Sequence, residues 1–304
     1  MTPAAAPTFA IDPRGPFSLQ LAAGFGFGPE EGKAPAREPV LRLAFLLDDL
    51  ITHTAVTLRQ DAPDRPVHGT LHPDAAGTAD ATAAQVARIL SLDHDAAAYA
   101  TLGDRDPVLA PLRERHHGLR PVLFHSPYEA AAWALISHRR PAAQAAVARA
   151  QLAQELGATF AFDDDNGQTT LDAFPTPERL LTLRPDQIPG LPAVKVERLH
   201  ALARATLDGR LQPRRLRDEL EPDEALAELQ QLPGIGPFWA TLILVRSAGA
   251  PDLLPAGEPR LQRAVQKAYN LPEPPDAAAF ATIAEAWRPF RTWACVLLRY
   301  AAQR

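Results

Sequence analysis

Cysteine is almost missing from this 304-residue chain: Cys295 stands alone. A single thiol excludes an internal disulfide and any centre built on four thiolates, and it fits a reducing, cytoplasmic setting. Long apolar runs are missing too. No stretch of ~18 apolar residues occurs, so no membrane-spanning helix is expected. The opening MTPAAAPTFAIDPRG lacks a basic segment followed by an apolar core, and no secretory signal is read there. No spacing of His, Cys and Glu matches a zinc site. Asp163-Asp164-Asp165-Asn166 has neither the spacing nor the closing glutamate of a calcium loop, which leaves a solvated acidic turn. Basic excess is missing as well. The net charge is −5, whereas a nucleic-acid binder normally presents a basic surface. Only Lys195–Arg304 leans the other way, with 15 Lys and Arg against 13 Asp and Glu, hence +2, leaving −7 for the rest.

What the chain does have is concentrated in Glu224–Arg263, EALAELQQLPGIGPFWATLILVRSAGAPDLLPAGEPRLQR. Glu224–Gln231 has helical apolar spacing through Leu226 and Leu229. LPGIG (Leu232–Gly236) stops it, because Pro233 has no N–H and Gly234 and Gly236 permit positive φ. Phe238–Ser247 then reads as an almost wholly apolar, buried helix. Glycines ahead of a helix N-terminus leave backbone N–H groups unpaired and unobstructed, an arrangement that suits a phosphate. The alternative is an ordinary corner between two helices.

The remainder divides in two. Met1–Gly15 is rich in Pro and Ala and is expected to be disordered. Phe17–Phe27, Val40–Leu47, Ile51–Arg59 and Pro66–Leu71 read as strands of an antiparallel meander, followed by helices over Ala79–Ser91 and Asp95–Leu102. From Asp106 onward every segment reads as helix. Ser126-Pro127 and Thr176-Pro177 each supply a capping hydroxyl and a proline at the first helical position. Adjacent His116 and His117 point to different faces of a helix and, like His138, are poor candidates for one metal ion. Arg113, Arg115, Arg120, Arg139 and Arg140 form the most basic local set, either a solvated face or phosphate contacts.

LPGIGPFWA, PDLLPAGE (Pro251–Glu258) and WRPFRTWA (Trp287–Ala294), with FPTPERLL (Phe174–Leu181) and LRPVLFHSPYEAAAWAL (Leu119–Leu135), resemble the helix–hairpin–helix DNA glycosylases, in particular the DNA-3-methyladenine glycosylase II family. The resemblance covers roughly Asp106–Arg304. It implies an α+β, mainly α fold: a disordered tail at 1–15, an N-terminal antiparallel-sheet domain over 16–104, and two helical lobes. One lobe comprises 105–125 plus 249–304 and carries the catalytic carboxylate. The other, 126–248, ends in the helix–hairpin–helix. The implied partner is double-stranded DNA containing a damaged base, met in the cytoplasm (nucleoid) by a monomer.

The implied chemistry is base excision repair of alkylated purines of the 3-methyladenine and 7-methylguanine type. The nucleotide is flipped out of the stack, and breakage of its N-glycosidic bond builds positive charge on the sugar. A carboxylate stabilises that charge and activates water. The family uses an aspartate; Glu258 occupies its position, with Leu261 three residues on. One more methylene lengthens its reach, and misplacement by ~1 Å is costly. A lesion-binding protein with a degenerate centre is therefore the alternative reading, and a first-turn glutamate serving the helix dipole is the structural one. Asp252 lies six residues earlier and reads as a loop residue. By resemblance the base pocket takes Phe238, Leu242 and Arg299, although Phe238 and Leu242 read equally well as core. Gly234, Ile235, Gly236, Arg139 and Arg140 would contact DNA, with Arg139 nearest the position that wedges into the duplex. Main-chain carbonyls of Gln230, Leu232 and Ile235 would hold Na+ or K+. No other cofactor is implied, since the iron–sulfur cluster of some relatives needs four cysteines. Trp287, Pro289, Phe290 and Trp293 read as core packed against the hairpin. Pro233–Thr241 contains no lysine, which argues against strand cleavage.

Overall fold

The computed structural model describes residues 6–25, 40–75, 78–164, 167–255 and 257–303. Six strands are described: β1 (Thr8–Ile11), β2 (Val40–Leu46), β3 (His53–Arg59), β4 (Val67–Leu71), β5 (Ala158–Asp164) and β6 (Gly167–Ala173). The first four form one antiparallel sheet in the order β1-β4-β3-β2, and β5 and β6 form a separate hairpin. The early helices are α1 (Leu19–Phe25), α2 (Ala79–Ile89), α3 (Ala97–Ala100), α4 (Leu102–Arg105) and α5 (Leu109–Arg115). The middle ones are α6 (Pro127–Ser137), α7 (Ala142–Leu156), α8 (Pro177–Leu180), α9 (Ala193–Leu207) and α10 (Pro222–Gln230). α11 (Pro237–Ile243), α12 (Pro259–Ala268), α13 (Ala277–Ala284) and α14 (Arg291–Ala301) complete the set. The fold is α+β and mainly α.

β2, β3 and β4 form the expected meander, with Leu46 opposite His53 at one end of the β2–β3 ladder and Val40 opposite Arg59 at the other. The sheet gains an unexpected fourth strand. Thr8–Ile11 lies within the segment expected to be disordered, yet it pairs with β4, Phe9 facing Gly69. Residues 1–5 lie outside the described ones. Phe17–Phe27 is not a strand either. Leu19–Phe25 is helical, opened by the Ser18 hydroxyl, which accepts from the Leu21 N–H at 3.3 Å. Leu19 and Ala22, one turn apart, are its buried residues, and residues 26 and 27 fall outside the described part.

The second correction lies in the region read as all helix. Ala158–Ala173 is a β-hairpin whose Phe160 and Phe162 pack with Ala44 and Ala55 on the far face of the main sheet. The near face carries Phe17, Leu19, Val86 and Ile89. Both faces of β2 and β3 are thereby covered, in keeping with the near-continuous apolar run of β2, VLRLAFL. Asp163, in the acidic turn, accepts from Gln168 at 3.1 Å, and residues 165 and 166 are outside the described part.

Two further clusters sit in the helical portion. α6, α7, α9, α10 and α11 share one core, including Leu135, Leu152, Leu199, Leu229 and Ile243. α12, α13 and α14 share the other with Tyr99, Leu102 and Leu109. Trp287, Phe290 and Trp293 are buried in this second cluster, not against the hairpin, and Pro289 is exposed. α6 starts where Ser126-Pro127 places it. Ser126 caps α6 by accepting from the Glu129 N–H at 3.1 Å, and Thr176 caps α8 the same way at 3.2 Å.

Arg120 joins the pieces. Its side chain is 1% exposed. It donates to the carbonyls of Pro16 at 2.8 Å, Ser91 at 2.9 Å, Arg14 at 2.7 Å and Gly15 at 2.9 Å. Its guanidinium also lies over the rings of Phe17 and Trp293, and burial lowers its pKa to about 10. Arg113 is likewise structural, donating to the Ala100 carbonyl and lying over Tyr99. Neither is a phosphate contact. His117 pairs with Asp64 at 2.7 Å while the His116 ring meets Tyr300, so the two histidines serve different partners.

Candidate functional site

The hairpin between α10 and α11 turns at Gly234, where φ is +94°. A Cβ there would lie 3.0 Å from Leu135 Cδ2 and from Arg198 Cδ. Gly236 differs. It is the N-cap of α11, and a Cβ on it would meet nothing within 4 Å. No side chain caps α11, and Pro237 takes the first helical position. The N–H groups of the next positions therefore have no intrahelical acceptor and face an open approach. Ile235 is buried beneath the turn, its N–H donating to the Leu232 carbonyl at 3.0 Å.

The segment after α6 lies beside this hairpin. Lys195, at the start of α9, donates to the Ile136 carbonyl at 2.6 Å and the His138 carbonyl at 2.9 Å. Arg139 is exposed on a left-handed backbone, φ +51°. Arg140 turns back instead, donating to the Gly190 carbonyl at 2.7 Å. Burial lowers the Lys195 pKa, and the charges of Arg140 and Arg198 lower it further. Like charges crowd here. Lys195 and Arg198 escaped the sequence reading, since both lie in α9, remote in sequence from the hairpin. Helical spacing from the buried Leu199 and Leu202 was the only available signal.

Phe238, expected in a buried helix, is 54% exposed, next to Trp239, whose ring it meets edge-on at 5.4 Å. The core reading of Phe238 therefore fails. Leu242, one turn on, is half-buried. A π-helical turn over Leu244–Ala248 ends the segment, closed by Gly249 at φ +87°.

The following loop is tied to the start of α14. Arg291 reaches Asp252 Oδ1 at 2.9 Å and the Asp252 carbonyl at 2.6 Å, and Arg288 reaches Asp252 Oδ2 at 2.8 Å. The Thr292 hydroxyl accepts from the Leu253 N–H at 3.0 Å and donates to the Leu253 carbonyl at 2.7 Å. Asp252 is thus a structural anchor. Gly257, at φ +90°, turns the chain into Glu258, the N-cap of α12. The Glu258 carbonyl opens α12, accepting from Leu261 and Gln262 at 3.0 Å each. Its side chain does not cap that helix. It reaches Arg299 Nη1 on α14 at 3.2 Å, with the two side chains 24% and 27% exposed. Two predicted site residues 41 positions apart therefore meet.

The other end of α12 is fixed by Asp106. This buried carboxylate accepts from the Tyr269 hydroxyl and from Trp287 Nε1, the latter at 2.7 Å. Burial, and then Asp106 itself, push the Tyr269 hydroxyl well above the ordinary tyrosine range. Burial likewise raises the Cys295 thiol, so it is no nucleophile at neutral pH. Among the described residues no group of three His, Cys, Asp or Glu could hold a metal ion.

No family model matches the chain. Its sequence is 28% identical over 130 residues to a DNA-3-methyladenine glycosylase 1 of Schizosaccharomyces pombe, covering 42% of this chain and 55% of that one. It is 23% identical over 209 residues to a DNA-3-methyladenine glycosylase of Bacillus subtilis, covering 68% and 67%. The chain thus spans about half the length of the first of these curated relatives. Its structure resembles a 3-methyladenine DNA-glycosylase from Archaeoglobus fulgidus with a TM-score of 0.76 and 22% identity, over 97% of this chain and 98% of that one. The fold, with its open hairpin ahead of α11, is that of the helix–hairpin–helix DNA glycosylases. In sequence the chain is similar to DNA-3-methyladenine glycosylases, and in fold it is similar to a solved member of that group.

Proposed function

We propose that the protein is a monofunctional DNA glycosylase that removes alkylated purines, of the 3-methyladenine and 7-methylguanine type, from double-stranded DNA. The observation that carries this reading is Glu258. It stands at a helix N-cap yet leaves its own helix uncapped and extends its carboxylate toward α14. A carboxylate held at a helix start but turned away from the backbone is available to oppose positive charge on a sugar and to orient water. An alkylated purine already carries the positive charge that makes it leave, so one carboxylate suffices.

The turn of Gly234, Ile235 and Gly236 would present a DNA phosphate to the unpaired backbone N–H groups at the start of α11, on the open side of Gly236, while the Ile235 N–H, bonded to the Leu232 carbonyl, holds the turn in shape. Arg139 would enter the gap left by the flipped nucleotide, its left-handed backbone holding it clear of α6. Arg140, bound to Gly190, would shape that loop and add charge. Exposed Phe238, with Leu242 and Arg299, would border the base. Among the described residues the Gln230 and Ile235 carbonyls accept no backbone N–H and the Leu232 carbonyl accepts one, so all three retain lone pairs for a Na+ or K+ ion. Such an ion would add positive charge beneath the phosphate. The absence of lysine over Pro233–Thr241 supports hydrolysis without strand cleavage.

Base release decides the matter. Wild type and Glu258→Gln are incubated with a duplex containing one 3-methyladenine or a stable substitute. Wild type should release base without nicking the strand, and the Gln variant should not. Lesion-selective binding without base release by either protein would replace the enzyme with a lesion-binding protein.

A further inference from the structure

We infer that Arg299 is a positioning residue for Glu258: its guanidinium holds the carboxylate out over the site, and the pair acts as one unit in opposing positive charge on the sugar. This rests on the glycosylase reading but concerns a contact that reading does not require.

The contact is Arg299 Nη1 to Glu258 Oε1 at 3.2 Å. Among the described residues neither side chain has another hydrogen-bond or ion-pair partner. The only other carboxylate in the approach loop, Asp252, is taken by Arg288 and Arg291. Without a partner, an N-cap carboxylate ordinarily folds back onto the N–H groups of its own helix. Glu258 does not, and Arg299 is the group that draws it away.

The surrounding frame makes this hold a precise one. Arg291 and Thr292, at the start of α14, grip Asp252 and Leu253, at the start of the loop that ends in Glu258. Two turns along the same helix, Arg299 grips the loop's far end. One helix thus holds both ends of the segment that delivers the carboxylate. The exchange of aspartate for glutamate follows from the same geometry. From the same backbone position an aspartate would end one carbon–carbon bond short, ~1.5 Å, and would not reach Arg299. Glutamate and arginine at these two positions therefore form a matched set.

A simpler idea makes the opposite prediction. If Arg299 only placed a positive charge near the site, its removal would strengthen binding of a cationic sugar. The test uses two duplexes, one with a cationic pyrrolidine in place of the sugar ring and one with a neutral tetrahydrofuran abasic analogue. Wild type should prefer the cationic ring. Arg299→Gln should lose that preference by about tenfold or more, with affinity for the neutral duplex and the thermal midpoint unchanged. Arg299→Lys should retain part of it, since lysine keeps the charge but loses the planar fork. Adding Arg299→Gln to Glu258→Gln should change nothing further, as expected of two residues acting as a unit.

An undiminished or increased preference in Arg299→Gln overturns the proposal. So do additive losses in the double variant, or a wild type with no preference. Base release measured in parallel keeps the two readings apart. A protein that prefers the cationic ring through both residues but releases no base sinks the glycosylase and leaves the pair standing. Base release at the wild-type rate by Arg299→Gln sinks the pair alone.

Discussion

The lobe that carries Glu258 and the edge that carries the hairpin are built in opposite ways. Around Glu258 nearly every polar side chain is committed. Asp252 binds two arginines, Thr292 brackets Leu253, and Asp106 ties Tyr269 to Trp287. At the hairpin commitments are few. Gly236 faces open space, Phe238 is exposed, and Lys195, Arg140 and Arg198 crowd together with no carboxylate paired to them among the described residues. The difference matches what each region would have to do. A group that stabilises charge must already be in place, because reorganising it would cost what the stabilisation gains. A surface that receives a large anionic partner is better left unsatisfied, with its donors waiting.

That contrast can be broken from either side. The largest effect is expected at the braced end. Asp252→Asn removes the charge on which Arg288 and Arg291 converge and loosens the segment leading to Glu258. Base release should fall by about 10²-fold, the usual result of a ~1 Å displacement, with duplex affinity intact. Parallel loss of affinity would mean that the loop also contacts DNA.

A brace of the same kind holds the far end of α6, the helix that leads to Arg139. Burial drives the Glu129 pKa up, but His125 at 3.0 Å and Arg149 at 3.3 Å outweigh it and hold it at about 2, below the ordinary 4.5. A carboxylate depressed on folding stabilises above its unfolded pKa and loses that contribution as pH falls through the folded one. Wild-type stability should therefore drop by a few kcal/mol between about pH 4.5 and about pH 2. Urea midpoints across that range should show a flatter profile for Glu129→Gln.

The two hairpin glycines should separate cleanly. Gly234→Ala forces a side chain to φ +94° against Leu135 and Arg198, costing roughly 1–2 kcal/mol, visible as a lower thermal midpoint. Gly236→Ala has no folded-state clash, so its midpoint should hold while affinity for DNA falls. Equal loss of stability in both would show that the open face is not open. The smallest effect concerns charge. Arg198→Ala should lower the slope of log affinity against log salt by about one, leaving lesion preference unchanged.

Much of this was legible in the sequence where the determinants are local. LPGIGPFWA announces its turn through proline and glycine, and Ser126-Pro127 fixes the start of α6. What was not legible depends on contacts between distant residues. Phe160 and Phe162 alternate over too few residues to stand out, and their reason for being a strand is Ala44 and Ala55, more than a hundred positions earlier. Arg120 looks like a phosphate ligand in a basic stretch until its acceptors appear on Arg14, Gly15 and Pro16. Glu258 and Arg299 were each singled out, but for separate roles. Their meeting depends on how α12 and α14 pack, which no local pattern encodes.

Arg120 also bears on how the chain can be shortened. With the side chain enclosed, removing residues 6–16 would strip acceptors from three of its donated bonds and unzip β1 from β4 in one stroke. By composition residues 6–16 look dispensable. Physically they are a plug, and a trimmed protein that begins at Phe17 should aggregate rather than fold into a smaller working version of itself.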